Sequence, residues 1–146
     1  MAAGPAKDGM APTFVLQGID TQVSLEAYRG RVVYVDFWAS WCAPCRQSFP
    51  WMNKMHAQHA KNGLQIIAIN LDENPADANA FLQKSRPDFV IAYDPEGKSA
   101  IDYRVNGMPS SFVVARDGTL SWQHIGFRKK DASALEAHIL SSLAQP

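Results

Sequence analysis

YVDFWASWCAPCR, residues 34–46, runs from an apolar, strand-like segment into two cysteines with a proline between them. They are the only cysteines of the 146-residue chain. A disulfide that staples a fold gains most by closing a long loop, which restricts the unfolded chain more. Cys42 and Cys45 enclose only Ala43 and Pro44, so a bond between them stabilises little. The spacing suits two sulfurs that make and break one bond repeatedly. The alternative is a pair that simply packs or bonds in a core.

The flanking pattern predicts the local structure. Val32–Trp38 (VVYVDFW) is β-branched and aromatic almost throughout, as in a strand buried on both faces. A helix from about Pro44 to Ala60 follows, with Pro44 suited to a first helical position and Pro50 expected to kink it. Asn62-Gly63 is a stop signal, and Leu64–Leu71 (LQIIAINL) is a second buried strand. Upstream, Phe14–Leu16 and Val23–Leu25 around a Gly18/Asp20 turn predict a short hairpin. Downstream come a helix over Ala76–Lys84, a strand over Phe89–Tyr93 and a helical turn over Ser99–Tyr103. Ser111–Ala115 and Leu120–Ile125 flank Asp117-Gly118, a hairpin signal. Leu135, Ile139 and Leu143 line one face of a last helix, near Lys129–Leu143. This order implies an α/β fold, a mixed sheet with helices on both faces. One domain over residues 11–146 is expected, preceded by a flexible segment over 1–10.

Cys42, between a buried strand and a helix, places its sulfur where the first helical N–H groups point. Those donors and the helix dipole favour a thiolate and predict a pKa below the free value of about 8.5. Cys45 lies inside the helix and should be more buried. The asymmetry makes Cys42 the attacking sulfur and Cys45 the resolving one. Cys42, Cys45, His56 and His59 also read as C-x2-C-x10-H-x2-H, close to a zinc spacing. One helix would hold Cys45 and His56 about 16 Å apart along its axis, too far to share a metal. No metal is therefore expected, and both histidines are assigned to a solvated helix face. Asp36 stands in an apolar strand, where a carboxylate is costly to bury. Desolvation should raise its pKa and make it a proton acceptor for Cys45. The alternative is a structural, hydrogen-bonded aspartate.

VDFWASWCAPCR, Pro50 five residues beyond Cys45, and GMPSSFVV at 107–114 together resemble the thioredoxin superfamily. The early hairpin and the long segment before GMPSS are similar to its TlpA/ResA-like branch. That branch comprises bacterial thiol–disulfide oxidoreductases, mostly exported or membrane-tethered, including cytochrome c maturation reductants. The resemblance, over about residues 11–143, implies a thioredoxin-like fold with an N-terminal β-hairpin extension. It implies Cys42 as nucleophile, Cys45 as resolving cysteine and Pro109 as a cis-proline facing the disulfide. Trp41 matches the residue that shields the nucleophile, although an ordinary half-buried aromatic would read the same. Substrate is expected to lie along Trp41, Ala43, Pro44 and the Met108 backbone. Asp36 matches the buried aspartate of thioredoxin itself. Many TlpA-like members have asparagine there and an acid at the position of Ser48. Ser110 replaces a common threonine, and Ala115 an aspartate before the Asp-Gly turn.

Ala43 and Pro44 supply no cation to stabilise a thiolate, so a potential nearer thioredoxin's (about −270 mV) than DsbA's (about −120 mV) is expected. Arg46 either adds some thiolate stabilisation or is a solvated helix residue. Protein-disulfide reduction follows, with an upstream thiol as electron donor and no cofactor. A thiol peroxidase would need a threonine three residues before Cys42, where Ala39 stands. That peroxidase and a non-catalytic binding module, both on the same fold, are the alternatives.

Charge and hydropathy exclude other classes. Fourteen basic and fourteen acidic residues give zero formal charge, and no basic stripe suggests nucleic acid. No apolar run approaches the roughly 18 residues of a membrane span, so no direct insertion is expected. MAAGPAKDGM lacks the apolar core of a signal peptide, so the chain is expected to carry none intact. The expectation is a monomer, periplasmic or otherwise exported on the strength of the resemblance, with a cytoplasmic location as alternative.

Overall fold

β3 (Val32–Trp38) is buried at all its positions, as its sequence demands. This holds in a computed structural model of the protein, which describes residues 9–146. β3 pairs in parallel with β4 (Leu64–Asn70) and antiparallel with β6 (Ser110–Val114). β5 (Val90–Tyr93) extends the sheet beyond β4, and β7 (Leu120–Ile125) beyond β6. The early hairpin, β1 (Val15–Gly18) and β2 (Gln22–Ser24), joins through an antiparallel β1–β5 pairing. The seven-stranded mixed sheet runs β2-β1-β5-β4-β3-β6-β7. Helices α1 (Ala43–His59), α2 (Pro75–Ser85), α3 (Lys98–Asp102) and α4 (Ala132–Leu143) flank it. It is a thioredoxin-like α/β fold.

Because side chains alternate along a strand, β3 serves two cores. Val32, Tyr34 and Trp38 join Phe49, Met52 and Met55 of α1, Ile139 of α4, and both cysteines. Val33, Val35 and Phe37 join Phe14, Leu25, Tyr103 and Phe112 on the other face. Burial of these apolar surfaces is the main driving force of the fold.

Most element boundaries agree with the sequence expectation within one or two residues. α1 runs unbroken through Pro50, although that residue offers no N–H to the Arg46 carbonyl. After α1 a 3-10 turn (Ala60–Asn62) ends at Gly63, whose φ of 109° is left-handed. A Cβ there would meet only the movable Arg116 guanidinium, at 2.7 Å from Nη1, so it is the left-handed backbone that favours glycine. The final helix begins with a 3-10 turn over Lys129–Asp131 before α4.

One expectation is corrected. His59 is not on a solvated face: its side chain is largely buried, with Nε2 2.9 Å from Glu136 Oε2 on α4. His56 Nδ1 is buried too, with no partner among the described residues. The exposed face expected for α1 is partly covered by α4. Of the segment expected to be flexible, residues 1–8 lie outside the described residues, while Met10 forms a bridge with Thr119. Among the described residues no helix is long and apolar enough to cross a membrane.

Candidate active site

The polypeptide leaves β3 at Trp38, whose ring is held 4.8 Å from those of both Phe49 and Phe81. It then turns through Ala39-Ser40-Trp41, with Cys42 N–H donating to the Ala39 carbonyl at 3.1 Å. Cys42 is the N-cap of α1, with extended backbone angles, and Pro44 lies in the helix's first turn. Cys42 and Cys45 are joined as a disulfide, their Cα atoms 5.3 Å apart. Cys42 is 4% exposed and Cys45 fully buried, the order expected.

Around the disulfide the exposed side chains include both apolar and charged residues. Trp41 is 70% exposed, more than the half-buried aromatic that is the other expectation. Ala43, Pro44 and Arg46 are also exposed. The Met108–Pro109 peptide bond is cis. Pro109 immediately precedes β6, whose first residue, Ser110, pairs with Phe37 near the end of β3. Met108 packs against the core cluster that contains both cysteines. Gly126 N–H donates to the Pro109 carbonyl at 2.7 Å, tying the proline to the segment after β7. The fold therefore brings residues 41–45 and 108–109 to one end of the sheet.

Asp36 sits midway along β3, on the face shared with Tyr34 and Trp38. Its side chain is turned away from Val35 and Phe37, the neighbours in sequence. In the ladder it lies opposite Ala68 on β4 and Ser111 on β6. Ser111 Oγ donates to Asp36 Oδ1 at 3.0 Å. Oδ2 is buried with no partner among the described residues. Burial pushes the carboxyl up to about 8, against a lowering by the Ser111 hydroxyl. Tyr34 is in turn raised by burial and by the neighbouring Asp36 charge. A buried acid that ionises near neutral pH can take a proton from a thiol and return it.

A second buried acid was missed by sequence reasoning. Asp72, just beyond β4, accepts from Ser40 N–H at 2.9 Å, Ser40 Oγ at 2.9 Å and Asn70 Nδ2 at 2.8 Å. Its signal was two polar residues, Asn70 and Asp72, closing an otherwise apolar run. Ile125, 62% exposed, stands beside Gly107 of the cis-proline loop and was also missed. Among the described residues no group of three metal-ligating side chains exists, and His56 and His59 do not approach the cysteines as ligands. A groove of about 780 Å³ is lined by Tyr103, Asn106, Phe112, Gln123 and Ile125 and includes neither sulfur nor Asp36.

Comparison with known proteins gives concordant results. The Redoxin family profile matches residues 5–139. Over 122 residues the chain is 31% identical to thiol-disulfide oxidoreductase ResA of Bacillus thuringiensis (strain Al Hakam), covering 83% of this chain and 70% of that one. It is 39% identical over 102 residues to thiol:disulfide interchange protein CycY of Rhizobium leguminosarum bv. viciae, covering 68% of this chain and 53% of that one. A Chlorobium tepidum crystal structure, provisionally assigned as thiol:disulfide interchange protein DsbE, superimposes with a TM-score of 0.92 at 46% identity, with 99% of each chain covered.

Proposed function

The chain belongs to the Redoxin family, in the TlpA/ResA-like branch of the thioredoxin superfamily, and we propose that this thiol–disulfide oxidoreductase is a reductant of protein disulfides. The observation that carries the direction is the pair of residues between the sulfurs. Ala43 and Pro44 place no cation beside Cys42, so the dithiol form gains no special stabilisation and remains a good electron donor.

In the proposed cycle the Cys42 thiolate attacks a client disulfide. A Cys42–client bond forms, and the other client sulfur leaves as thiolate. Cys45 then gives its proton to Asp36 and attacks Cys42. The Cys42–Cys45 disulfide closes, and the client departs carrying two electrons. An upstream dithiol donor restores the pair. Trp41 shields the nucleophile, and Ala43, Pro44 and the Met108 backbone receive the client beside Pro109. The likeness to the exported, membrane-tethered branch supports a periplasmic site of action and disulfide-bonded apocytochrome c as a client. The enzyme is proposed to act as a monomer.

Equilibration with glutathione and dithiothreitol buffers, together with insulin-reduction turnover, tests this reading. A potential close to about −270 mV with catalytic turnover is expected. A potential near DsbA's would make the protein an oxidant, and absence of turnover would make it a binding module.

A further inference from the structure

We propose that Ser111 is a positioning residue for the resolving step: from the strand beside Asp36, its hydroxyl holds one carboxyl oxygen and leaves the other to receive the Cys45 proton. This rests on the assignment of Asp36 as the base.

Three observations converge on Ser111. It is the direct cross-strand partner of Asp36, so the ladder itself sets their separation. Both side chains are buried, at 1% exposure for Asp36 and 3% for Ser111, so water does not compete freely for the contact. The hydrogen bond reaches Oδ1 alone, and Oδ2 has no partner among the described residues. A carboxyl held by one oxygen is fixed in rotation, and its free oxygen has one direction in which to act. The hydroxyl is a donor to the ionised acid, so it favours the form that can accept a proton.

Among the described residues Ser111 is the one hydrogen-bond donor to the Asp36 carboxyl. On the other side of Asp36, β4 offers Ala68, which cannot donate. On its own strand Tyr34 shares the face, its hydroxyl meeting the same Ser111 hydroxyl and sensing the Asp36 charge, and from α1 the cysteine pair lies in the same core. From α4 the buried contribution to that core is Ile139. His59 of α1 and Glu136 of α4 are engaged with each other, Nε2 to Oε2 at 2.9 Å. The shift of Asp36 has burial and Ser111 as its causes and no lysine, arginine or histidine among them. In the resolving step the proton passes from Cys45 Sγ to Asp36 Oδ2, the Cys45–Cys42 bond forms and the Cys42–client bond breaks. Ser111 exchanges no atom.

The test compares Ser111→Ala, Ser111→Thr, Asp36→Asn and the double variant Ser111→Ala/Asp36→Asn in the full chain. Carbon-13 NMR titration of the Asp36 carboxyl is read beside stopped-flow resolution of a mixed disulfide from pH 6 to 9. Ser111→Ala should move the carboxyl midpoint upward by about one pH unit, the loss of one hydrogen bond to a charged group. Resolution at pH 7 should slow several-fold, with its acid limb displaced the same way. Ser111→Thr, which keeps the hydroxyl, should restore both. In the Asp36→Asn background Ser111→Ala should change nothing further. An unmoved carboxyl midpoint in Ser111→Ala overturns the role of Ser111, while slow resolution in Asp36→Asn would still uphold the base. An unchanged profile in Asp36→Asn overturns the base and, with it, the proposal.

Discussion

Asp72 accepts both the backbone N–H and the hydroxyl of Ser40, each at 2.9 Å, and so pins the turn two residues before the Cys42 sulfur. Asn70 completes the cluster: its amide donates to Asp72, and its carbonyl oxygen accepts the Asp72 N–H at 3.1 Å. Removing the carboxyl strands buried donors, which costs more than the net value of the bonds themselves. Asp72→Ala is expected to lose about 2–4 kcal/mol in urea unfolding. It should also slow attack of Cys42 on a model disulfide, because Trp41 and Cys42 lose a fixed approach. Asp72→Asn retains an acceptor and should recover part of both. Unchanged attack kinetics in a destabilised Asp72→Ala protein would make the cluster purely structural.

Asp36 links stability to pH with an unusual sign. Its carboxyl titrates at about 8 when folded, against an ordinary value of 3.8. Between those limits the folded protein holds a proton that the unfolded chain has lost. Stability from this group is therefore full below the window and declines as pH rises through it. Asp36→Asn removes the titration and should be at least as stable as the parent. Its advantage should widen from pH 4 to pH 8 and then level off, reaching on the order of several kcal/mol. Urea midpoints of the two proteins at pH 4, 6 and 8 measure it. A gap that stays constant with pH would mean that the carboxyl is not desolvated.

Arg116 gathers four backbone carbonyls that no secondary structure satisfies. Its guanidinium donates to Gly30 at 3.1 Å, Asn62 at 3.2 Å, Leu143 at 3.1 Å and Gln145 at 3.2 Å. A planar fork of five donors fits that set, whereas a lysine ammonium presents a single point. Arg116→Ala should cost about 1–3 kcal/mol, and Arg116→Lys should recover less than half. The redox potential should be the same in all three proteins. A shifted potential would reveal coupling between this clasp and the disulfide.

The parts legible in the sequence were those encoded within a few residues. The apolar run at 32–38, the glycine stop at 63 and the Asp117-Gly118 turn each act locally, and each element formed where its signal stood. The cysteine pair was legible because strand, turn and helix follow one another directly. What escaped depends on distant segments meeting. Ser111 and Asp36 are 75 residues apart, and only strand order makes them partners. Ser40 reaches Asp72 across 32 residues for the same reason. The histidines of α1 looked solvated because the covering helix, α4, comes about 75 residues later and leaves no trace in the local pattern.

The division of labour between the two sulfurs is the centre of the account, and one trapping measurement addresses it. Cys42→Ser and Cys45→Ser proteins are each mixed with a disulfide-bonded client under non-reducing conditions, and adducts are read by intact mass. Cys45→Ser should accumulate a covalent adduct through Cys42, because attack proceeds and resolution does not. Cys42→Ser should trap nothing and reduce no insulin. An adduct on Cys42→Ser, with none on Cys45→Ser, would contradict the assignment and place the attacking thiolate at the buried sulfur.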